Sequence, residues 1–172
     1  MGLTYRASQT FRVLLAKPRS EDLVLAEEHL LPPLRELFHQ MSPADQVHGL
    51  RVLRSLLARG EENPNLLSAA LLHDIGKSQV RLRLWERILI VLVSWLAPGR
   101  AQSWGEGELR SWRRPFVIAV RHPDWGAEMI RQAGGSVELV NMVLRHQDDL
   151  PPDPIKEIDR LLYRLQEADG LN

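Results

Sequence analysis

Six side chains able to hold a metal ion recur along this chain, each at the end or on the inward side of an apolar segment. His73 and Asp74 stand together in "AALLHDIGK", with Gly76 and Lys77 close behind. His48 lies beside Val47 and Leu50 in an earlier helical pattern. His122 sits in "RHPDWG", His146 in "LRHQ" and Asp169 in "LQEADG". Neutral imidazoles and carboxylates together are the ligand set for Zn, Fe, Mn and similar ions. The chain has no cysteine, which excludes disulfides and leaves any metal to nitrogen and oxygen ligands. Adjacent residues diverge by about 100° on a helix. His73 and Asp74 can therefore share one ion only near a helix end, or else they meet across a second ion. Asp159 and Glu167 compete with Asp169 as the last ligand, whose position after "LQEA" favours it. His29 and His39 stand among charged residues and read as surface or hydrogen-bonded side chains.

The elements that must carry these residues are marked by their punctuation. "TYRASQTFRVLLA" and "SEDLVLAEEHL" read as two early helices, the second capped by Ser20, and "PPLRELFHQM" as a short third. "SPADQVHGLRVLRSLLARG" has Ser42 as N-cap, Pro43 at the first helical position and Gly60 past the end. Its Val47, Leu50, Leu53 and Leu57 keep helical spacing. Asn63 and Pro64 start the helix that leads into His73. The run "RLRLWERILIVLVSWLAPG" predicts a long buried helix stopped by Pro98 and Gly99, followed by a long loop or short helical turns up to Pro115. "PFVIAVRHPDWGAEMIRQAGG" predicts a helix broken near His122, with Pro123 fixing a new helix start. Ser136 and Asp153 are candidate caps of the last two helices. "PFVIAV" is β-branched enough for a strand but has no partner run. The expectation is an all-α fold, one domain over 1–172.

With 172 residues, 44% hydrophobic and 26% charged, the chain has ordinary globular composition. Lys plus Arg and Asp plus Glu both number 22, a balance that argues against a general nucleic-acid binder. The N-terminal residues show no long apolar run of a signal peptide, and Arg6 stands where a myristoylation signal wants Ser or Thr. Ile88 to Ala97, the longest apolar stretch, is too short to span a bilayer. A cytoplasmic protein is expected. Charge is nonetheless uneven. Arg81 to Arg114 holds seven Arg against three Glu and four of the five Trp, namely Trp85, Trp95, Trp104 and Trp112. A lid over an anionic substrate, a membrane-surface patch and a dimer face all fit this segment. In the plainer alternative, Trp85 and Trp95 pack in the core beneath solvated arginines.

The ordered series His48, "HDIGK", "RHPDWGAEMI", "RHQ" and "LQEADG" resembles the HD-domain superfamily of metal-dependent phosphohydrolases. The resemblance covers roughly Ser42 to Gly170, about 42–170, with a Trp/Arg-rich insertion at about 81–115. It implies an all-α HD-domain helical bundle. It also implies a first ion held by His48, His73, Asp74 and Asp169, with Asp74 bridging to a second ion on His122 and His146. The ions would be divalent (Fe, Mn, Zn, Ni or Mg), and the substrate a small phosphorylated molecule. Asp74 would orient the ions and take a proton from water. Lys77 matches the lysine that such members place near the phosphate, although it could also be a dipole partner for the helix ending at Asp74. Arg51, one turn after His48, shares its face and could reach an anionic substrate. The doubled histidine and Gly-Tyr-Pro of the cyclic-di-GMP phosphodiesterases are replaced here by "RHQDDLPPDP". The stretch "HPDWGAEMI" looks more like the branch that hydrolyses nucleotides and dinucleoside polyphosphates. Two rivals follow from the same resemblance, a di-iron oxygenase and a non-enzymatic metal-containing sensor. No nucleic-acid partner is expected; peripheral membrane contact and a homodimer stay open.

Overall fold

The computed structural model of the protein describes residues 17–80, 83–151 and 153–171. The helix read over "TYRASQTFRVLLA" lies outside these residues. Among the described residues the fold is all helical, in the order α1 (Ser20–Glu28), α2 (Pro32–Gln40), α3 (Pro43–Ala58), α4 (Pro64–Leu72), a 3-10 turn (Ile75–Gln79), α5 (Leu84–Leu96), α6 (Pro98–Gly105), α7 (Arg114–Gln132), α8 (Val137–Arg145) and α9 (Glu157–Gly170).

The centre of the bundle is α4. Every residue from Leu66 to Leu72 is buried, as expected of a helix that is apolar or small on all sides. Its neighbours are α3, α8 and α9, which supply Leu50, Leu53, Leu56, Leu139, Val143, Leu162 and Leu165 to one continuous core. Helix starts follow the side-chain chemistry. Ser42 accepts from the Asp45 amide, Asn63 from the Asn65 and Leu66 amides, and Ser136 from the Leu139 amide. Two expected caps are corrected. Ser20 is already helical, and Asp22 reaches back to the Arg19 amide instead. The last helix starts behind Lys156 rather than at Asp153.

Two larger corrections concern α5 and α7. The apolar run expected to be a buried helix is α5, but its Val91, Leu92 and Leu96 are exposed, and so is Trp85 at 55%. The side chain of Trp95 lies outside the description. The segment after Gly99 resolves into α6 and turns, with Trp104 half-buried against Phe116 and Trp112 exposed. The helix expected to break at His122 does not break. α7 runs through Pro123, which stands inside it; the flanking turns pack against α8 and the 3-10 turn, and that packing outweighs the local cost of proline.

Two glycines set how closely the backbones approach. A Cβ on Gly49 would come within 2.8 Å of the Leu71 carbonyl oxygen, so α3 rests directly on the end of α4. A Cβ on Gly76 would fall on the carbonyl oxygen of His122 and lie 2.7 Å from the amide nitrogen of Gly126, so the 3-10 turn rests directly on α7. Rigid backbone atoms cannot step aside as a side-chain tip would. Gly76→Ala is expected to destabilise the protein by about 1–3 kcal/mol, read as a lowered Tm, and an unchanged Tm would show that the two backbones are not in register here.

Candidate metal centre

Each close approach delivers a pair of polar side chains. Gly49 precedes Leu50 and follows His48, so the α3–α4 contact sets the His48 ring 5.2 Å from that of His73, centroid to centroid. Gly76 follows Asp74 by two residues, so the contact with α7 sets Asp74 Oδ1 3.1 Å from His122 Nε2. α4 ends at Leu72 and the 3-10 turn starts after Asp74. The His–Asp doublet therefore occupies the joint between two helical segments, where its two side chains can turn to different partners.

The six candidate ligands fall into two adjoining clusters. His48, His73 and Asp169 form one, and Asp74, His122 and His146 the other, with the ligand atoms of each within 4.8 Å of one another. In the first, His48 Nε2 is 2.7 Å from Asp169 Oδ1 and His73 Nε2 is 3.7 Å from the same oxygen. In the second, His122 Nε2 is 3.2 Å from His146 Nε2. Asp74 faces both ways, since its Oδ2 lies 3.8 Å from His73 Nε2 while its Oδ1 meets His122. The second cluster is fully buried, whereas His48 and Asp169 are partly open to solvent. Asp159, a sequence-level rival for the last ligand, instead pairs with Arg145, and Glu167 with Arg59.

Three of the imidazoles are locked by the helices that carry them. His73 Nδ1 donates to the Ala70 carbonyl at 3.1 Å and His146 Nδ1 to the Val143 carbonyl at 2.7 Å. Both acceptors lie in the last turn of a helix, where carbonyls lack an intrahelical partner. His122 Nδ1 donates to the Ala119 carbonyl at 2.8 Å and lies 3.2 Å from that of Ile118. Ala119 is four residues before Pro123, which has no N–H to offer it. The proline inside α7 thus frees the carbonyl that fixes His122. A carbonyl only accepts, so Nδ1 carries the proton in all three rings and each Nε2 presents its lone pair to the centre.

That arrangement calls for a cation. His73 Nε2 is buried with no hydrogen-bond partner among the described residues. The Nε2 lone pairs of His122 and His146 face each other. Burial, reinforced by the neighbouring His73 and His122, pushes the His146 imidazole down to about 3, and burial also lowers His73. Both are neutral bases ready to ligate. For the carboxylates burial acts in the opposite sense but loses. The Lys77 ammonium holds Asp74 well below the usual range, and the hydrogen bond from His48 lowers Asp169. The reciprocal bond raises His48 against the effect of its burial. Four imidazoles and two ionised carboxylates fit divalent transition metals, with second-shell carbonyls orienting the rings.

Lys77 Nζ is 2.6 Å from Asp74 Oδ2. Burial would lower its pKa, but the carboxylates of Asp74 and Asp45 raise it, so it stays an ammonium. Asp45 is held from behind by Arg87 of α5, at 2.7 and 2.8 Å. Sequence reasoning missed Asp45 and Arg87; neither adjoins a motif, and only their mutual ion pair across 42 residues gives them a place. Arg51 shares the His48 face of α3, but it is half-buried and makes no ion pair with a described residue. A cleft of about 460 Å³ lined by Val120, Pro123, Asp124, Arg145 and Asp148 lies on the side of α7 turned away from His122, since Val120 and Asp124 are about 200° from it around the helix.

An all-helical bundle with this ordered set of histidines and aspartates defines a class of metal-binding domain. The HD-domain family model matches residues 46–172, and the chain belongs to that family. Comparison with curated proteins and with solved structures gives no match.

Two measurements test the centre. Stripping metal with a chelator should lower the Tm, because ligands from separate helices make ion binding part of folding; ion at a hundredfold its Kd contributes about 2.7 kcal/mol of stability. The His122→Ala/His146→Ala variant should retain the ion of the first cluster and lose the other, counted by elemental analysis. Pro123→Ala gives a sharper check: it returns an N–H to the Ala119 carbonyl, and should weaken metal affinity by about 10–100-fold while leaving the metal-free protein no less stable. Equal affinity would mean that His122 is oriented by something else.

Proposed function

We propose that this protein is a metal-dependent phosphohydrolase that cleaves a phosphoester or phosphoanhydride bond, with nucleotides or dinucleoside polyphosphates as the substrate class. The reading takes its substrates from the likeness of "HPDWGAEMI" to that branch of the family, and its chemistry from Lys77. A half-buried ammonium 2.6 Å from Asp74, beside two clusters of metal-type ligands, is the observation that carries it. Two divalent ions bound here would supply Lewis acidity to water and to the phosphoryl oxygens.

The remaining work falls to the chain itself. Asp74 stays ionised, presents one oxygen to each cluster and can take a proton from an attacking water. Lys77 stays protonated and offsets the charge that gathers on the phosphoryl group, a role for a fixed donor in a water-poor site. The neutral His73 and His146 keep their lone pairs inward, so they do not compete as proton donors. The Asp45 carboxylate, itself paired with Arg87, adds negative charge that keeps Lys77 protonated. The partly open His48–Asp169 edge is where a substrate can enter.

A phosphate-release screen over nucleotides and dinucleoside polyphosphates, with each divalent metal in turn, tests the proposal. Activity should vanish in Asp74→Ala and fall by about 10²–10³ in Lys77→Met, with both variants still folded and helical by circular dichroism. Turnover that requires dioxygen would transfer the protein to the oxygenases. Tight binding of one nucleotide with no phosphate released would make it a sensor.

A further inference from the structure

Helix α5 is amphipathic in the wrong sense for a soluble bundle. Its charged residues face the protein. Glu86, 3% exposed, is paired with Arg114, and Arg87 is held by Asp45 and Ser42. Its apolar residues face outward. Trp85, Leu89, Leu92 and Leu96 recur at i, i+4, i+7 and i+11, which is one stripe of a helix. Of these, Trp85, Leu92 and Leu96 are 55%, 47% and 69% exposed. A soluble helix ordinarily buries that stripe. Here two ion pairs bolt the opposite side to the body of the protein and keep the stripe turned out.

We propose that this face of α5, with the adjoining Trp112–Arg113 corner, docks onto an anionic lipid surface. Charge complementarity selects this occupant. Arg83 precedes α5, Arg100 follows it, and Arg110 and Arg113 lie in the link to α7; all four are exposed. The segment Arg81 to Arg114 carries seven Arg against three Glu in a chain that is neutral as a whole. Trp112 is exposed, with the Arg113 guanidinium 5.4 Å from its ring centroid. Such aromatic–cation pairs sit at the level of lipid headgroups, with aliphatic side chains reaching below them. α5 has 13 residues and no helix among the described residues is long and apolar enough to cross a membrane, so it lies on the surface and does not enter the bilayer core. A second copy fits less well: a two-fold interface would bring the same arginine-rich face against itself. Single-stranded nucleic acid would want a row of aromatic platforms where this stripe offers Leu92 and Leu96.

Flotation of the full chain with vesicles decides the matter, and it reads nothing from the metal centre. The protein should rise with vesicles of equimolar phosphatidylcholine and phosphatidylglycerol, stay behind with phosphatidylcholine alone, and be released by high salt. Leu92→Glu/Leu96→Glu should cut partitioning by more than about tenfold, and Arg100→Glu/Arg110→Glu by about fivefold per charge. Both variants change exposed residues and should keep the wild-type Tm and metal content. Failure of the wild type to float with anionic vesicles would overturn the proposal. So would a concentration-dependent dimer, broken by Leu92→Glu/Leu96→Glu, in a protein that ignores vesicles.

Discussion

The 3-10 turn that follows Asp74 lies against α7 with no side chain between the two backbones. Gly76 is the residue at the contact, and the His122 carbonyl occupies the space where its Cβ would stand. Everything at the centre is spaced from this contact. Asp74, two residues before it, can reach His122 only if the turn stays on the helix. Lys77, one residue after it, is carried back over Asp74. On the other side of the doublet, Gly49 sets α3 on α4 in the same way and fixes the His48–His73 edge. A Cβ at either glycine would push the two backbones apart and shift these side chains out of their present distances.

The second constraint is electrostatic. Six polar side chains gathered in a largely apolar interior would be costly if each kept an unmet hydrogen-bonding demand. The helices meet half of that demand themselves, through carbonyls left over at the ends of α4 and α8 and above Pro123. Apart from the hydrogen bond that His48 gives Asp169, what is left points inward as lone pairs and carboxylate oxygens. The Lys77 ammonium beside them is tied to Asp74 and steadied by the charge of Asp45. The centre is therefore short of positive charge, and that shortage is what a divalent ion and the domain's HD-family membership both answer.

The sequence was informative where residue type and local chemistry decide the structure. Proline and Ser or Asn at helix starts placed α3, α4 and α8 correctly, and the spacing of His48, His73, Asp74, His122, His146 and Asp169 pointed to side chains that do gather into two clusters. It misled where tertiary contacts override local preference. Pro123 reads as a helix break, yet α7 continues because the turns on either side of it are packed. α5 reads as core because its residues are apolar, yet the polar pairs Glu86–Arg114 and Arg87–Asp45 decide which way it faces. Partners 28 and 42 residues apart leave no periodic trace in a single sequence. Ser20 and Asp153 show the smaller version of this limit, a cap misplaced by a few residues.

The ligand atoms come from α3, the α4 joint, α7, the end of α8 and the last turn of α9, so neighbouring contributors are separated by roughly twenty to fifty residues of chain. No hairpin or pair of consecutive helices contains a cluster whole. Long-range contacts of this kind form late, after the loops between them have closed. The centre is thus a report on the whole bundle: a local opening of α9 or of the 3-10 turn, too small to unfold the core, is enough to take a ligand away.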